Sequence, residues 1–195
     1  MRLLFGLLIL LLPGLAAADG PPPITAALLK ELQQGGFVIY FRHGETPNYR
    51  DPEPGGGENC SVQRNLSVEG REMARKIGLA FRELEIPIGI VRASPYCRTM
   101  DTARLAFGRA ESDAWLRTSG DDNDPEEKKR MALQRSMARI RPLPGTNTIL
   151  VGHGNGVVAL GLGHHPMEGE AAIVKPTGDG ITFVVGVKPG EWVRP

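Results

Sequence analysis

Three short apolar runs, separated by segments of helical pattern, constrain the fold of this chain more than any other feature. The runs are residues 37–41, 88–91 and 148–151. Between the first two, Ser67 is a residue type that begins helices, and Met73, Ile77 and Phe81 follow it at helical spacing. Strands that alternate with helices form layered α/β domains. The pattern therefore predicts an α/β fold with a largely parallel central sheet.

The second half of the chain extends this pattern with two helices and a hairpin. We expect a helix over residues 98–107, ended by Gly108, and a charged helix that begins at Pro125. The runs at residues 171–174 and 181–187 predict a late β-hairpin. The inner face of the charged helix is predicted to carry Leu133, Met137 and Ile140.

The first 18 residues have the pattern of a secretory signal peptide. Arg2 is followed by an apolar stretch and then by Ala16, Ala17 and Ala18, which are small residues typical of a cleavage site. An uncleaved membrane anchor is the alternative, but the stretch is short against the ~20 residues that span a bilayer. We therefore expect cleavage after Ala18, a lead-in over residues 19–36 and one domain over residues 37–195. The mature protein is expected to be periplasmic or secreted.

Charge argues against two classes of partner. The chain of 195 residues has a formal net charge of +1, and removal of Arg2 with the signal peptide leaves it close to neutral. Proteins that bind nucleic acid or membrane surfaces through bulk charge are strongly basic. We therefore expect no nucleic-acid partner and no membrane-surface binding through bulk charge, and any anion site must be local. No second apolar run is long enough to span a bilayer, so we also expect no stable membrane insertion after cleavage.

The two cysteines, Cys60 and Cys97, can be interpreted in two ways. Export would allow a disulfide between them, and unlinked thiols are the alternative. Both lie near segments that we assign to the same site, which favours the bridge.

Histidines and arginines follow the three apolar runs. Arg42 and His43 come directly after the first run, Arg98 falls at the start of the helix after the second, and His153 follows the third. In sheets of this kind, ligands bind at the carboxyl ends of the strands. We therefore expect these four side chains to converge on one crevice.

The four residue types suit phosphoryl transfer. Two guanidiniums can grip phosphate oxygens and neutralise the charge of a transferring phosphoryl group. A neutral imidazole can attack phosphorus to give a phosphohistidine, and a second imidazole can donate to a phosphoryl oxygen. Each residue alone would more often be a surface arginine or a structural histidine. Their order, with each at a predicted strand end, favours the functional interpretation.

The stretches FRHGET, SPYCRTMDTA and VGHG resemble the motifs of the histidine phosphatase superfamily, which includes phosphoglycerate mutases and many phosphatases. The resemblance covers roughly residues 37–156. It implies a phosphoglycerate-mutase-like three-layer α/β/α sandwich with no metal or other cofactor. It also implies that His43 is the phosphorylated nucleophile, and that Arg42, Arg98 and His153 form the phosphate pocket. The export signal and the stretch QRNLSVEGREMARKIGLAFR are similar to those of exported bacterial phosphatases of this group.

The chain departs from the family pattern in the residue expected to act as general acid. Many members carry a glutamate or aspartate after a middle strand, and the corresponding stretch here, WLRTSGDDNDPEE, has no glutamate at that place. The candidates are Glu45, Asp121, Asp122 and Asp124, or no residue at all. We favour a solvated turn for the DDND run. Leaving groups of low pKa need less protonation, so the acid bears on the substrate class.

Adjacent histidines occur in the stretch GHHPMEGE at residues 163–170. A metal site is one interpretation, but neighbouring residues rarely bind one ion well. We interpret the stretch as a loop at the rim of the site.

These observations predict an exported, metal-independent phosphatase that hydrolyses phosphomonoesters through a phosphohistidine on His43. Its partner would be a small phosphorylated substrate or a phosphorylated envelope component. A phosphoglycerate-type mutase is the first alternative. The second is a non-catalytic envelope protein that binds phosphate.

Overall fold

A six-stranded sheet carries the fold in the computed structural model, which describes residues 23–49, 59–119, 121 and 123–195. Its strands are β1 (Val38–Arg42), β2 (Ile88–Ala93), β3 (Glu111–Ser112), β4 (Asn147–Gly152), β5 (Ala171–Pro176) and β6 (Ile181–Val187). The spatial order is β3-β2-β4-β1-β5-β6. The first four strands in that order are parallel, and β5 is antiparallel to both of its neighbours. The predicted α/β fold with a mostly parallel sheet is confirmed.

Five α-helices flank the sheet in the part of the chain that the structure describes. They are α1 (Ala26–Gln34), α2 (Val68–Glu83), α3 (Cys97–Phe107), α4 (Pro125–Met137) and α5 (Gly154–Ala159). The Oγ of Ser67 accepts a hydrogen bond from the backbone N–H of Gly70, as expected for the residue that begins α2. Gly108 ends α3 with a left-handed φ of 73°, a conformation that glycine adopts without strain. β5 and β6 form the predicted hairpin.

Alternation along β1 builds the two faces of the core. Phe37, Ile39 and Phe41 belong to an apolar cluster with α1, α2 and α3, whereas Val38 and Tyr40 belong to a second cluster that includes residues of α5. Because successive side chains of a strand point to opposite faces, β1 packs against helices on both sides. This arrangement is the three-layer sandwich that the family resemblance implied.

The inner face of α4 is polar, which corrects the sequence-based expectation. Leu133 and Ile140 are 38% and 61% exposed, whereas Glu127 and Gln134 are buried; Met137 packs against the core. Gln134 Oε1 accepts a hydrogen bond from the buried Tyr40 hydroxyl at 3.0 Å. The prediction for Leu133 was wrong because the helix faces polar groups of the interior, and buried polar groups need partners. The prediction for Ile140 was wrong because α4 ends at Met137, three residues earlier.

Helix α1 lies within residues 19–36, for which the sequence predicted only a lead-in. Its Leu29 and Leu32 are buried in the same core cluster as β1. The Asn147 side chain holds the end of this helix. It donates to the carbonyl oxygens of Leu32 at 2.8 Å and Pro87 at 3.0 Å, and it accepts from the N–H of Phe37 at 3.1 Å. One buried amide therefore joins α1, β1, β4 and the segment before β2.

The predicted signal peptide at residues 1–18 lies outside the described residues. Among the residues that are described, no helix combines the length and the apolar character needed to cross a membrane.

Cys60 and Cys97 form a disulfide, with their Cα atoms 5.7 Å apart. The bridge that the sequence favoured is therefore present. It attaches the short helical turn at Cys60–Val62 to the first residue of α3. The backbone before Arg98 is thus covalently tied to a segment 37 residues earlier in the chain.

Replacing Asn147 with alanine should lower the free energy of unfolding by about 2–4 kcal/mol, because three hydrogen bonds are lost and the N–H of Phe37 is left without its side-chain partner. Urea denaturation followed by circular dichroism measures the loss. The control is Asn123→Ala, which truncates an exposed asparagine and should change stability by less than about 0.5 kcal/mol. Equal effects of the two substitutions would contradict the role given to the Asn147 amide.

Candidate active site

The carboxyl ends of three parallel strands meet at one edge of the sheet. Arg42 of β1 pairs with Gly152 of β4, and Ala93 of β2 pairs with Val151. The backbone bonds continue one residue further, because the N–H of His43 donates to the carbonyl of Gly152 at 3.0 Å. The residues that follow β1, β2 and β4 therefore lie side by side, as the sequence pattern predicted.

His43 is held in one tautomer at this edge. Its side chain is buried, with the residue 2% exposed, and its Nδ1 lies 2.8 Å from the carbonyl oxygen of Gly44. Since a carbonyl oxygen can only accept, Nδ1 carries the proton and Nε2 keeps its lone pair. The imidazole is therefore set up to act as a nucleophile through Nε2.

A close approach between the loop after β1 and helix α2 places the His43 backbone. A Cβ at Gly44 would lie 2.8 Å from the carbonyl oxygen of Gly70, and a Cβ at Gly70 would collide with the carbonyl oxygen of Glu45. Only glycine permits this approach at either position. The glycine in the RHG stretch thus has a packing reason of its own.

His153 lies opposite His43, with the two ring centroids 5.7 Å apart. It is 5% exposed, and its Nε2 is 3.0 Å from the Oγ of the buried Ser94. The ring of Tyr96 packs edge-on against it at 4.9 Å. Ser94 and Tyr96 come from the segment that links β2 to α3, so this linker orients the second histidine.

Arg98 projects from the first turn of α3 and is only 5% exposed. Its guanidinium carbon stands 4.3 Å from the centroid of the Tyr96 ring, a cation–π geometry. The Oγ1 of Thr102 donates to the Arg98 carbonyl at 2.7 Å and accepts from the N–H of Gly44 at 3.0 Å. One hydroxyl therefore ties the start of α3 to the loop that carries His43.

Arg42 is held by the loop at residues 163–170, whose expected position at the rim is confirmed. Its Nη1 donates to the carbonyl of Pro166 at 2.6 Å and lies 3.3 Å from Nε2 of His165. Its Nη2 is 3.6 Å from Oε1 of Glu168. Three contacts with one loop therefore orient this guanidinium.

Glu168 is a site residue that sequence reasoning missed. Its carboxylate accepts hydrogen bonds from the N–H and the hydroxyl of Thr46 at 3.0 and 2.7 Å, and Oε1 lies 4.0 Å from Nδ1 of His43. The only signal in the sequence was its place in the GHHPMEGE stretch, because its distance along the chain from His43 gave no spacing to interpret.

The predicted general acids that the structure describes are engaged elsewhere. Glu45 accepts from the hydroxyl of Ser67 at 3.2 Å. Asp121 and Asp124 accept from backbone N–H groups two residues further along the chain, which is the turn and helix start expected for the DDND run. Asp122 lies outside the described residues.

The buried Glu127 shapes the neighbouring loop. Its carboxylate accepts hydrogen bonds from the side chain of Thr118, the N–H of Ser119 and the amide of Asn155. It therefore connects α4 to the loop before it and to α5, and its acceptor positions are used by these contacts.

Burial and neighbouring cations control the electrostatics of the site. Burial is the largest cause that lowers the pKa of both His43 and His153 well below the ordinary value of 6.5, and the charge of Arg98 is the second. Burial also lowers the pKa of the Arg42 guanidinium, against the opposing charge of Glu168. Both histidines are therefore neutral in the folded protein at pH 7, as a nucleophilic imidazole must be.

Within residues 23–49, 59–119, 121 and 123–195, no group of three or more His, Cys, Asp or Glu side chains has an arrangement that could hold a metal ion.

The fold and this edge define the class of protein. A phosphoglycerate-mutase-like α/β sandwich carries two buried histidines and two arginines at the carboxyl ends of its parallel strands. Residues 38–118 match the model of the family described as histidine phosphatase superfamily (branch 1). The resemblance to this superfamily that the motifs indicated is thereby confirmed. No curated protein matches the chain.

Solved structures share the fold at low sequence identity. A mutant phosphoserine phosphatase from Entamoeba histolytica in complex with phosphoserine is 14% identical with a TM-score of 0.58, covering 80% of this chain and 99% of that chain. The protein histidine phosphatase SixA complexed with tungstate is 19% identical with a TM-score of 0.51, with the same coverage. Rv3214 from Mycobacterium tuberculosis is 20% identical with a TM-score of 0.53, covering 78% and 98%.

Lowering the pH below about 6.5 should destabilise the protein through His43 and His153. Their folded-state pKa values are depressed, so the unfolded chain binds more protons between those values and 6.5. Stability contributed by the pair is therefore full above pH 6.5 and is lost as the pH falls. The expected slope is about 1.4 kcal/mol per pH unit for each histidine.

Urea denaturation at several pH values between 5 and 8 measures this slope. The variant His43→Gln/His153→Gln should lose it, whereas His164→Gln, which changes a histidine whose side chain is largely exposed, should keep it. An identical slope in wild type and double variant would show that other groups govern the acid sensitivity.

Proposed function

We propose that this protein is an exported phosphatase that hydrolyses phosphomonoesters through a phosphohistidine intermediate on His43. The observation that carries the proposal is the burial and the tautomer of His43. Its buried neutral ring donates from Nδ1 to the Gly44 carbonyl and leaves the Nε2 lone pair for attack, beside two buried or half-buried arginines. Such a group of residues supplies both the nucleophile and the charge stabilisation that phosphoryl transfer needs.

Substrate binding would use Arg42 and Arg98. Both guanidiniums lie near the histidine pair, since the charge of each lowers the pKa of His43 and His153. A phosphate dianion offsets this positive charge and accepts hydrogen bonds from both side chains. The bound dianion also favours protonation of His153, which then donates to a phosphoryl oxygen.

The first chemical step would be attack of Nε2 of His43 on phosphorus. The N–P bond forms as the bond between phosphorus and the leaving-group oxygen breaks, and that oxygen leaves as an anion that takes a proton from water. The positive charge gained by the His43 ring is shared with Nδ1–H, whose bond to the Gly44 carbonyl then strengthens. In the second step, water attacks phosphorus, the N–P bond breaks, and inorganic phosphate leaves with the ring neutral again.

The supply of that proton bears on the substrate class. Glu45, Asp121 and Asp124 each accept a local hydrogen bond, and Glu168 is bonded to Thr46. We therefore propose that the enzyme acts best on leaving groups of low pKa, which need little protonation.

Export rests on the sequence of residues 1–18 and is supported by the disulfide. Structural disulfides persist mainly in oxidising compartments such as the periplasm or the extracellular space. The proposed substrate is accordingly a small phosphorylated compound or a phosphorylated component of the cell envelope.

Replacing His43 with alanine should abolish the phosphoenzyme and lower turnover by about 10⁴-fold or more, because the nucleophile is lost. Rapid acid-free quenching with a ³²P-labelled phosphoester measures the intermediate, which should be acid-labile and base-stable. His164→Ala, which changes a largely exposed rim histidine, should retain the labelled protein and most of the activity.

Full activity of His43→Ala would overturn the proposal. Tight binding of vanadate without turnover on a broad phosphoester panel would instead identify a phosphate-binding protein. Transfer of the label between the hydroxyls of phosphoglycerate at rates above hydrolysis would identify a mutase.

Aryl phosphates should be hydrolysed with a kcat/KM at least about 100-fold above that of alkyl phosphates, because a positioned general acid typically contributes 10²–10⁴-fold. A series of substituted phenyl phosphates and simple alkyl phosphates measures the dependence on leaving-group pKa. A flat dependence would show that a general acid is present. Glu45→Gln and Glu168→Gln would then distinguish the two carboxylates, since loss of the acid slows alkyl substrates selectively.

A further inference from the structure

A short segment before α2 is attached to the start of α3 by two bonds to the same residue. Cys60 forms the disulfide with Cys97, and the side-chain oxygen of the buried Gln63 accepts from the N–H of Cys97 at 2.9 Å. Arg98 is the next residue of the helix. The segment at residues 59–65 therefore lies against the same helix terminus that carries a pocket arginine.

Hydrogen bonds within the segment make it rigid. The Asn59 side chain accepts from the N–H of Ser61 at 3.1 Å, and the N–H of Gln63 donates to the Cys60 carbonyl at 3.3 Å. The Asn65 amide also donates to the Cys60 carbonyl, at 2.6 Å. The two residues that flank position 64 are thus both held by hydrogen bonds to the Cys60 carbonyl.

Arg64 stands between these two anchored neighbours. Its positive charge contributes to the lowered pKa of Arg42, His43 and His153. Its Nε is buried and has no hydrogen-bond partner among the described residues, and its Nη1 makes a long bond of 3.4 Å to the Tyr49 carbonyl. A buried donor of this kind has capacity for an anionic acceptor.

We infer that Arg64 is a third arginine of the phosphate pocket, and that the Cys60–Cys97 disulfide sets the anion affinity of the pocket by holding Arg64 in place. The inference rests on the proposed function only in that it assigns a phosphoryl group to the same pocket. Arg64 would bind a phosphoryl oxygen together with Arg42 and Arg98.

Repulsion explains why the third arginine needs an anchor. Arg64 and Arg98 both disfavour the charged form of Arg42, so three cations share a partly buried space before an anion arrives. An unanchored arginine would move its head group into water, where its charge is better solvated. The disulfide and Gln63 keep the segment in position, so that the cation is already present when phosphate binds.

The direct test measures binding of orthovanadate and inorganic phosphate by isothermal titration calorimetry, which needs no turnover. Arg64→Gln should weaken both anions by roughly ten- to a hundredfold, as expected for loss of one charge-assisted hydrogen bond. Arg64→Lys should recover part of the loss. The control Arg75→Gln removes an exposed arginine of α2 that pairs with Glu72, and it should leave affinity within about twofold.

The second arm tests the disulfide with Cys60→Ser/Cys97→Ser in two backgrounds. Affinity for vanadate should fall by roughly tenfold in the wild-type background and should not fall further in Arg64→Gln, since both changes remove the same contact. Circular dichroism verifies that each protein is folded at the temperature used. Gln63→Ala leaves the bridge intact and removes the second anchor, so it should also weaken vanadate binding, even if the double cysteine variant does not fold.

Two results would overturn the inference. If the Arg64→Gln variant binds vanadate as tightly as the Arg75→Gln variant, Arg64 does not belong to the pocket. Equal losses on cysteine replacement in both backgrounds would show that the bridge acts through Arg98 or overall stability. Neither result touches the phosphoenzyme test of His43, so the two proposals fail separately.

Discussion

Parallel pairing of β1 with β4, and of β4 with β2, is the constraint on which the site depends. It places the residues after three strands next to one another although they are spread over more than 100 positions of the chain. The pairing also determines where α3 begins, and therefore where Arg98 enters the crevice. Asn147 stabilises the same core at the amino end of β4. Its side-chain amide forms hydrogen bonds with the backbone of α1, the residue before β1 and the segment before β2.

Desolvation then determines the protonation state of the two histidines at this edge. A histidine in water is partly protonated near neutral pH, but burial beside arginines keeps His43 and His153 neutral. The bond from Nδ1 of His43 to the Gly44 carbonyl selects the tautomer with a free Nε2. In the proposed function, the accumulated positive charge of the arginines is what attracts a phosphate dianion. The loop contacts of Arg42 and the bridge beside Arg98 hold these cations against their mutual repulsion.

Polar groups in the interior mark where sequence reasoning was weakest. The sequence pattern predicted a helix whose inner face carries Leu133 and Ile140. In the structure Glu127 and Gln134 face inwards, because Tyr40, Thr118 and Ser119 offer them partners, and Ile140 lies beyond the end of α4. Glu168 was missed for the same reason. Its contacts with Thr46 and Arg42 join parts of the chain that no local pattern connects.

The α/β class, the strands and helices that carry the motifs, and the position of Arg42, His43, Arg98 and His153 after neighbouring strands could be predicted from the sequence. These are local properties, since periodicity, helix-capping residues and strand-end motifs can be interpreted within short windows. The tautomer of His43, the presence of Glu168 beside it, the polar face of α4 and the attachment of Cys60 and Gln63 to the start of α3 are visible only in the folded structure. Each of these depends on a partner distant in sequence, and such partners become neighbours only when the strands have paired.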